Sequence, residues 1–382
     1  MPGKSIVILG GGFGGAAAAR TLRRLLPAEH AVTLVDRLRH TYLCGSLPWL
    51  IVGEREPDKI SRSLGALRQR GVRYLEAEVQ GLDLVNRRVM TSGGGLSYDS
   101  LVIATGAEYD WDAVPGAVNA HSFYNLETAR KLRAALRSFH KGCIVIAVSR
   151  LPYKCPPAPY EAAMLLDAMF TERGVRKEVD IHIFTPEPAC LGLAGAQRSA
   201  QFKAYLGKRS ITVHNSETLA GIDADSRVAR FQSGESMAYD LMITVPVHRS
   251  AAVVRATSLT NQAGWIPVDA ATLASRQPGV YAIGDATVVP MANGSPLPKA
   301  GVFASAEGDL VARNLAAEIL GGQAACFAGE GYCFVDHGKG KGALIRGAFL
   351  SPGQPQVELT SPSVRWRRRK ERFEADWRSW KI

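Results

Sequence analysis

The sequence predicts an α/β protein with two Rossmann-like dinucleotide-binding domains, the first of them split along the chain, followed by a small C-terminal α+β segment. A glycine-rich strand–turn–helix pattern opens the chain, and two further strands end in short glycine motifs about 180 residues apart. A second set of buried-strand and helix patterns lies between those motifs. With 382 residues, 46% of them hydrophobic, the chain can form two or three lobes with a large core.

The first motif lies in "KSIVILGGGFGGAAAARTLRRL", where an apolar strand pattern meets an alanine-rich helix pattern. Its G-x-G-x-x-G is Gly10, Gly12 and Gly15, which allow a tight turn, close approach of a pyrophosphate and close packing of helix on strand. The next strand, "AVTLVD", ends in Asp36, 21 residues after Gly15, where a carboxylate can accept both ribose hydroxyls. Strand, glycines, helix, strand and acid in this register predict a dinucleotide site.

Two later strands identify the dinucleotide. "YDSLVIATGAEY" contains Thr105 and Gly106 at the end of a strand pattern, and "GVYAIGDATVVP" contains Gly284 and Asp285. The pair resembles the A-T-G and G-D signatures of flavoprotein reductases with two dinucleotide domains, in which the aspartate binds the ribityl chain of FAD. The resemblance implies FAD as the cofactor.

The domain limits follow from these motifs and from the patterns between them. We expect the FAD-binding domain at residues 1–115 and 265–322, and a second Rossmann-like domain with a cysteine loop at residues 116–264. The latter contains the strand patterns "CIVIAV", "EVDIHIFT" and "YDLMITVP". A C-terminal domain at residues 323–382 contains "YCFVDHGKGKGALIRGAFL", which alternates like antiparallel strands, and ends in a basic tail.

The cysteines and the N-terminus suggest a compartment. Six cysteines show no C-x-x-C spacing, so we expect neither a metal site nor a secreted disulfide scaffold. A disulfide in this chain would instead be catalytic. The first strand pattern starts within a few residues of Met1, and no apolar run has membrane-spanning length. We therefore expect a cytoplasmic protein, or one on the cytoplasmic face of a membrane.

The segment "SRLPYKCPPAPYE" replaces the second glycine-rich loop that a nicotinamide site would need. No glycine occurs between Ser149 and Arg173, and the prolines remove amide donors and obstruct the backbone approach of phosphates. We therefore do not expect nicotinamide binding there. Cys155 instead stands on a stiff loop before a predicted helix, with Pro159 in its first turn, and a helix N-terminus stabilises a thiolate.

The C-P-P-x-P-Y-E stretch resembles that of the sulfide:quinone oxidoreductases and of the flavoprotein subunit of flavocytochrome c sulfide dehydrogenases. "SLPWLIVGE", "AGWIPVD" and "LPKAGVFASAEGDLVARNL" resemble the same family, so the likeness covers most of the chain. The resemblance implies that Cys155 pairs at the flavin with Cys333, 178 residues later, and that the pair shuttles sulfur. It also implies that Cys333 faces the flavin and that Cys155 carries the persulfide.

Two further residues take roles from the resemblance. Glu161, six residues after Cys155, matches a glutamate that manages protons near the flavin. Lys299, in "LPKAG", places positive charge near the flavin pyrimidine ring, where reduction builds negative charge. The alternatives stay open: a helix-dipole partner for Glu161 and a solvated surface lysine for Lys299.

Cys44 stands eight residues after Asp36, about where the flavocytochrome relatives attach FAD through the 8α-methyl group. The residues that follow, "GSLPW", resemble the quinone-reducing relatives instead. Three interpretations stay open, namely covalent attachment of FAD, a third redox cysteine, and a structural thiol.

The basic tail bears on the electron acceptor. From Ser363 to Ile382 the chain has eight Lys or Arg against three acids, so +5 of the net charge of +11 lies in this segment. Trp366, Phe373, Trp377 and Trp380 fall on one face of a predicted helix. A cationic helix with interfacial aromatics suits an anionic membrane surface, although docking on the body or on a partner subunit stays open. No recognition module accompanies the tail, so nucleic-acid binding is not expected.

The resulting hypothesis is an enzyme that oxidises sulfide to sulfur or polysulfide through FAD and passes the electrons to a membrane quinone. The alternatives are a membrane-associated NADH:quinone oxidoreductase of the same fold, a flavoprotein subunit that donates electrons to a cytochrome c, a persulfide- or polysulfide-handling flavoprotein that does not reduce quinone, and a non-catalytic flavin-containing interaction protein. The sequence leaves the oligomeric state open, a homo-oligomer included.

Overall fold

The structure is a computed structural model that describes residues 3–353 and 355–381. Its strands are β1 Ser5–Leu9, β2 Ala31–Asp36, β3 His40–Tyr42, β4 Ser61–Ser63, β5 Arg73–Glu76, β6 Val79–Asp83, β7 Arg88–Thr91, β8 Gly94–Ser97, β9 Ser100–Ile103, β10 Ala107–Asp110, β11 Gly142–Val148, β12 Val179–Thr185, β13 Ile211–Asn215, β14 Leu219–Asp223, β15 Val228–Phe231, β16 Ser236–Ala238, β17 Leu241–Val245, β18 Val247–Ser250, β19 Ile266–Pro267, β20 Val280–Ala282, β21 Thr287–Val288, β22 Glu330–Asp336, β23 Gly342–Ala348 and β24 Gln356–Leu359.

The α-helices are α1 Phe13–Leu25, α2 Leu47–Ile51, α3 Leu126–Ser138, α4 Ala158–Glu172, α5 Ala196–Gly207, α6 Ala252–Arg255, α7 Gly301–Leu320 and α8 Val364–Arg378. Short 3-10 helices cover Cys44–Ser46, Pro57–Ile60, Leu64–Arg70, Ala117–Asn119, Arg176–Glu178, Gly192–Ala194 and Gly284–Ala286. Within the described ranges, no helix is both long enough and apolar enough to cross a bilayer.

The first sheet is parallel and has the order β20-β9-β1-β2-β5. Its central strands are apolar along nearly their whole length because helices and loops cover both faces of a parallel sheet. Strand β20 joins β9 although almost 180 residues separate them, so the sheet combines the two ends of the predicted split domain. Helix α1 packs on α7 at Gly14 and Gly308, where a Cβ on Gly308 would lie 2.2 Å from the Gly14 carbonyl oxygen.

The second sheet is also parallel, with the order β13-β12-β11-β17. Helix α4 packs on β12 and is buried along most of its length. The antiparallel ribbon β10-β18 and the small antiparallel sheet β14-β15-β16 complete this part of the chain, whereas the small sheet β6-β7-β8 packs with the first sheet. The two parallel sheets confirm the predicted α/β class.

The C-terminal segment is α+β, as predicted, with the antiparallel sheet β22-β23-β24 and helix α8. Helix α8 packs against the rest of the protein through its aromatic side. The side chains of Trp377 and Trp380 are only 1% and 8% exposed, and the Arg62 guanidinium lies 4.1 and 3.6 Å from their ring centres. The stacked cation and rings hold the end of the chain on the first part of the fold.

Candidate functional site

The glycine turn at the end of β1 opens onto a large cavity of about 360 Å³. Gly10 has φ +99°, and a Cβ there would lie 2.3 Å from the Ala104 carbonyl oxygen. A Cβ on Gly15 would lie 1.9 Å from the Gly10 oxygen, so only glycine fits either position. A Cβ on Gly12 would meet nothing within 4 Å. The turn therefore leaves free space at the place where the motif predicts a pyrophosphate.

Asp36 lies at the same end of the large cavity. Its carboxylate accepts hydrogen bonds from the Gly11 and Leu38 amides, at 2.6 and 2.8 Å. Burial raises its pKa, against the effect of these two amides. The acid stands where a ribose would follow the phosphates, in the order that the sequence predicts.

The opposite wall of the large cavity comes from the two strand-end motifs. Thr105 and Gly106 follow β9, while Gly284 and Asp285 follow β20, so adjacent parallel strands deliver both motifs to one sheet edge. Among the described residues, the buried Thr105 hydroxyl has no hydrogen-bond partner. The unpaired hydroxyl of Thr105, the open glycine turn and the carboxylate of Asp36 together fit an elongated dinucleotide such as FAD.

Lys299 is buried, with 7% of its surface exposed, so it is not the solvated lysine of the alternative interpretation. Its Nζ donates to the carbonyl oxygens of Asp285 and Thr287, at 2.8 Å each, and lies 3.7 Å from the Trp265 ring centre. Burial lowers its pKa to about 8, whereas the nearby Asp285 and Glu307 raise it. The ammonium group therefore stands fixed at the cavity wall.

Cys155 and Cys333 meet in the structure. Cys155 lies on the loop before α4, where its amide donates to the Lys299 carbonyl oxygen at 2.8 Å, and Cys333 lies in β22. Both thiols line the large cavity and a small cavity of about 50 Å³ beside it, and they lie close enough for Cys333 to raise the pKa of Cys155. Both are free thiols in this structure.

The thiolate expected at Cys155 is a point at which the structure corrects the sequence interpretation. The contact with Cys333, together with burial, raises the pKa of Cys155 well above its usual value. Lys370 acts in the opposite direction without reversing the shift. Burial beside a second thiol thus outweighs the nearby helix N-terminus, because the charged form loses its solvation.

Glu161 points into the protein from the first turn of α4 and forms an ion pair with Lys370 of α8. Burial raises the pKa of Glu161 to about 7, although Lys370 lowers it. For Lys370, burial favours a lower pKa, but Glu161 and Asp336 outweigh it and raise the value. A carboxyl group that titrates near neutral pH thus lies with a lysine at the wall of the small cavity.

Cys44 lies with the other two cysteines. It begins the 3-10 helix Cys44–Ser46 and lines both the large and the small cavity. Burial raises the pKa of Cys44. The nearby Asp285 and Cys155 raise it further, whereas Lys154 lowers it. Its position suits covalent attachment of FAD as well as a third redox thiol.

The structure adds residues that the sequence interpretation missed. Lys154 lies between Cys44 and Tyr109, with its Nζ 4.9 Å from the Tyr109 ring centre. Burial alone would lower its pKa, but Tyr109 and Cys44 outweigh it and raise the value well above the usual range. Because Lys154 directly precedes Cys155 in the sequence, its position could have indicated that it lies at the same site. Lys370 gave no local signal, because a lysine in a basic tail normally faces solvent.

The place of a second nucleotide site is filled by the protein's own side chains. Glu187 follows β12, where a nicotinamide-binding domain presents its ribose-binding acid. The hydroxyls of Tyr153, Tyr160 and Thr185 donate to it at 2.9, 3.2 and 3.2 Å. Since Tyr153 and Tyr160 flank Cys155, this cluster also fixes the cysteine loop.

The tail helix shows a second correction. Trp377 and Trp380, predicted to face a membrane, are buried against the body, which was the alternative left open. Glu374 of the same helix binds Ser46 and Arg55, both at 2.7 Å. The exposed side of α8 instead carries a set of arginines, namely Arg365, Arg368, Arg369, Arg372 and Arg378.

A wide outer groove of about 1100 Å³ lies between the C-terminal sheet and α8. Its lining combines aromatic, aliphatic and arginine side chains, among them Trp366, Leu344, Val357, Arg346, Arg369 and Arg372. Tyr332, Phe334 and Phe373 line both this groove and the large cavity, so they form the partition between the two.

In the described part of the chain, no group of three or more His, Cys, Asp or Glu side chains could hold a metal ion.

Comparison with known proteins agrees with this geometry. Residues 4–308 match the family model of the pyridine nucleotide-disulphide oxidoreductases. The mitochondrial sulfide:quinone oxidoreductase of Mus musculus is 27% identical over 301 residues, which are 75% of this chain and 66% of that protein. The chain thus spans just under two thirds of the mouse protein's length. The demethylphylloquinone reductase of a Synechocystis species is 26% identical over 331 residues, 83% of this chain and 80% of that protein.

The crystal structure of the sulfide:quinone oxidoreductase from Aquifex aeolicus superposes with a TM-score of 0.89. The superposition covers 98% of this chain and 92% of that one, at 22% identity. At this level of identity the likeness concerns the fold, which it matches almost from end to end.

Proposed function

Because the chain belongs to the pyridine nucleotide-disulphide oxidoreductase family, we propose that it is an FAD-dependent enzyme that oxidises sulfide at a cysteine pair and passes the electrons to a quinone. The observation that carries the proposal is the contact between Cys155 and Cys333 at the wall of the large cavity. The mouse and Aquifex proteins, which are named for sulfide:quinone oxidoreduction, support it.

FAD would occupy the large cavity. Gly10, Gly12 and Gly15 would receive its pyrophosphate and Asp36 its adenosine ribose, while Asp285 would bind the ribityl chain. Thr105 and Gly106 would complete the wall, together with Gly284. When bound, FAD supplies the acceptor for the two electrons that sulfide gives up. Lys299 would hold positive charge near that acceptor, where reduction adds negative charge.

The cysteine pair would hold the sulfur. Hydrosulfide attacks the Cys155 sulfur of a Cys155–Cys333 disulfide, the bond between the cysteines breaks, and Cys333 leaves as a thiolate. The added sulfur stays on Cys155 as a persulfide, and this exchange conserves electrons. When a sulfur nucleophile removes that sulfur, Cys155 is left as a second thiolate; the two cysteines then form their disulfide again and give up two electrons, for which bound FAD would be the acceptor. Lys370, near both sulfurs, favours each anionic form.

Glu161 would move the protons. Its pKa of about 7 lets it accept a proton from hydrosulfide or from the persulfide near neutral pH and release it again. The Lys370 ammonium group holds the carboxylate in place beside the cysteines. These contacts favour a proton carrier over a mere partner of the helix dipole.

The quinone would bind in the outer groove. The groove is large enough for an aromatic ring with an isoprenoid chain, and its apolar and aromatic lining suits both. Phe373, Tyr332 and Phe334 separate it from the large cavity by a single layer of side chains, which keeps the electron path short. The exposed arginines beside the groove would hold the protein peripherally on an anionic membrane surface, on the cytoplasmic side.

The filled second nucleotide site disfavours NADH as the electron donor. Glu187 already accepts hydrogen bonds from three hydroxyl groups, and two of their donors, Tyr153 and Tyr160, are buried beside it. A ribose would have to displace these bonds. The Synechocystis relative, named as a quinone reductase, is compatible with quinone as the acceptor and leaves the donor to experiment.

Anaerobic flavin spectra of the FAD-loaded protein test the proposal. We expect hydrosulfide to bleach the flavin and a soluble quinone analogue to restore it, whereas NADH leaves it oxidised. Cys155→Ser and Cys333→Ser should each abolish bleaching by sulfide, while Cys326→Ser, at an exposed position outside both cavities, should keep it. Bleaching by NADH alone, or full sulfide rates in either active-site variant, would refute the proposal.

A further inference from the structure

Tyr124 carries a hydroxyl group that has no hydrogen-bond partner within the described residues, although the side chain is only 3% exposed. The backbone carbonyl oxygen of Tyr124 accepts a hydrogen bond from the Tyr109 hydroxyl at 2.6 Å. The phenol oxygen of Tyr124 is a separate group, and it is this oxygen that lacks a partner. The ring is fixed on several sides, with ring centres 5.1 Å from Phe123 and 5.4 Å from His248. An unpaired buried hydroxyl is costly, so an acceptor supplied by a ligand is expected.

The small cavity shows which ligand is near. Tyr124 lines it together with Cys155 and Cys333, and its polar wall also includes Glu161, Lys370 and Lys154. Its volume is about 50 Å³. Since about 10–15 Å³ of such space holds one water molecule, the small cavity has room for a small sulfur anion such as hydrosulfide.

The protonation state of Tyr124 restricts its role to hydrogen-bond donation. Burial, followed by the charge of Cys155, raises its pKa well above the usual value of 10. The phenol therefore stays neutral at physiological pH, and its proton has no acceptor until an anion enters the cavity. A persulfide on Cys155 would bring such an anion into the small cavity, where the neighbouring Lys370 stabilises negative charge.

We propose that the Tyr124 hydroxyl donates a hydrogen bond to the outer sulfur of a persulfide on Cys155, and that the small cavity is the subsite for this added sulfur. The inference rests on the proposed function and deepens it. The step is the exchange already described: hydrosulfide bonds to the Cys155 sulfur, the bond from Cys155 to Cys333 breaks, Cys333 takes the electron pair of that bond, and Glu161 accepts the proton of the new persulfide. Tyr124 stabilises the product anion and gains or loses no electrons.

Tyr124→Phe removes only the oxygen atom and keeps the packed ring. Tyr98→Phe is the matched control, because Tyr98 is 5% exposed, its hydroxyl also lacks a partner in the described structure, and it lines neither cavity. Both changes should leave the thermal midpoint of the FAD-loaded protein unchanged or raise it, since each removes an unsatisfied buried group. A hydroxyl with a purely structural bond would lower the midpoint instead.

The readouts are flavin bleaching after mixing with hydrosulfide and the cyanide-labile sulfur that stays on the protein. In Tyr124→Phe we expect bleaching to slow, and the bound sulfur to be lost faster, by roughly 10- to 100-fold, the range for a hydrogen bond to a charged group. Tyr98→Phe should match the unmodified protein. Equal rates and equal sulfur retention in Tyr124→Phe would overturn the inference while leaving the proposed function intact. A failure of the unmodified protein to react with hydrosulfide would remove both.

Discussion

The buried carboxyl group of Glu161 gives a quantitative prediction for the change Glu161→Gln. Its pKa is about 7 in the folded protein against an ordinary value of 4.5, and the cause is burial. The folded state therefore holds a proton between pH 4.5 and 7 that the unfolded chain has lost. Stability that depends on this proton is complete below pH 4.5 and is lost as the pH rises through 7.

The size of the effect follows from the shift. At about 1.4 kcal/mol per pKa unit, the full difference corresponds to about 3 kcal/mol, most of which falls between pH 5 and pH 8. Glutamine cannot ionise, so this contribution is absent from the variant. Relative to the unmodified protein, Glu161→Gln should gain about 2–3 kcal/mol of unfolding free energy between pH 5 and pH 8.

Urea denaturation of the FAD-loaded proteins at pH 5, 6, 7 and 8 measures this difference. Taking the difference between variant and unmodified protein cancels the titrating groups that do not interact with Glu161, whereas Lys370, whose pKa Glu161 raises, contributes to the difference. Glu127→Gln is the control, because Glu127 is exposed and pairs only with Lys131 on the surface of α3. A variant whose stability differs from the unmodified protein by the same amount at pH 5 and pH 8 would contradict a raised pKa for Glu161.

Three other predictions follow from the site and the tail. If Cys44 binds FAD covalently, acid precipitation should leave the flavin in the protein pellet, and Cys44→Ser should release it to the supernatant; flavin that is released from the unmodified protein excludes the bond. The double change Arg368→Glu and Arg378→Glu reverses exposed charge outside the outer groove, and should weaken sedimentation with anionic vesicles while sulfide-dependent bleaching persists; unchanged sedimentation argues against membrane binding through α8. Trp377→Ala should lower the free energy of unfolding by about 3–5 kcal/mol, because the ring is 1% exposed; a loss well under 1 kcal/mol would mean that α8 is not docked in solution.

Local chemistry in the sequence was enough to predict the fold class and the glycine turn. The G-x-G-x-x-G at Gly10, Gly12 and Gly15 specifies its own geometry, because each position allows only a residue without a Cβ or needs open space. The two strand-end motifs at Thr105 and Asp285 could be assigned to one sheet edge, since parallel strands deliver their carboxyl ends to the same side. The missing glycines after β11 likewise led us not to expect a nicotinamide site there.

Contacts between distant segments decided the rest. The helical period placed Trp377 and Trp380 on one face, but a period does not say whether lipid or protein covers that face, and Arg62 proved to be the partner. Lys370 reaches Glu161 across 209 residues, which no local pattern could indicate.

The sequence by itself determined the α/β class, the dinucleotide turn and the presence of a proline-bound cysteine, because these depend on backbone conformation within a few residues. Only the tertiary structure decided that Cys155 is a half-buried thiol of raised pKa and that its neighbours are Cys333, Lys370 and the unpaired hydroxyl of Tyr124. The physical reason is that solvation and charge at a site depend on every segment that packs around it, whereas a short sequence motif determines only the backbone conformation of its own residues.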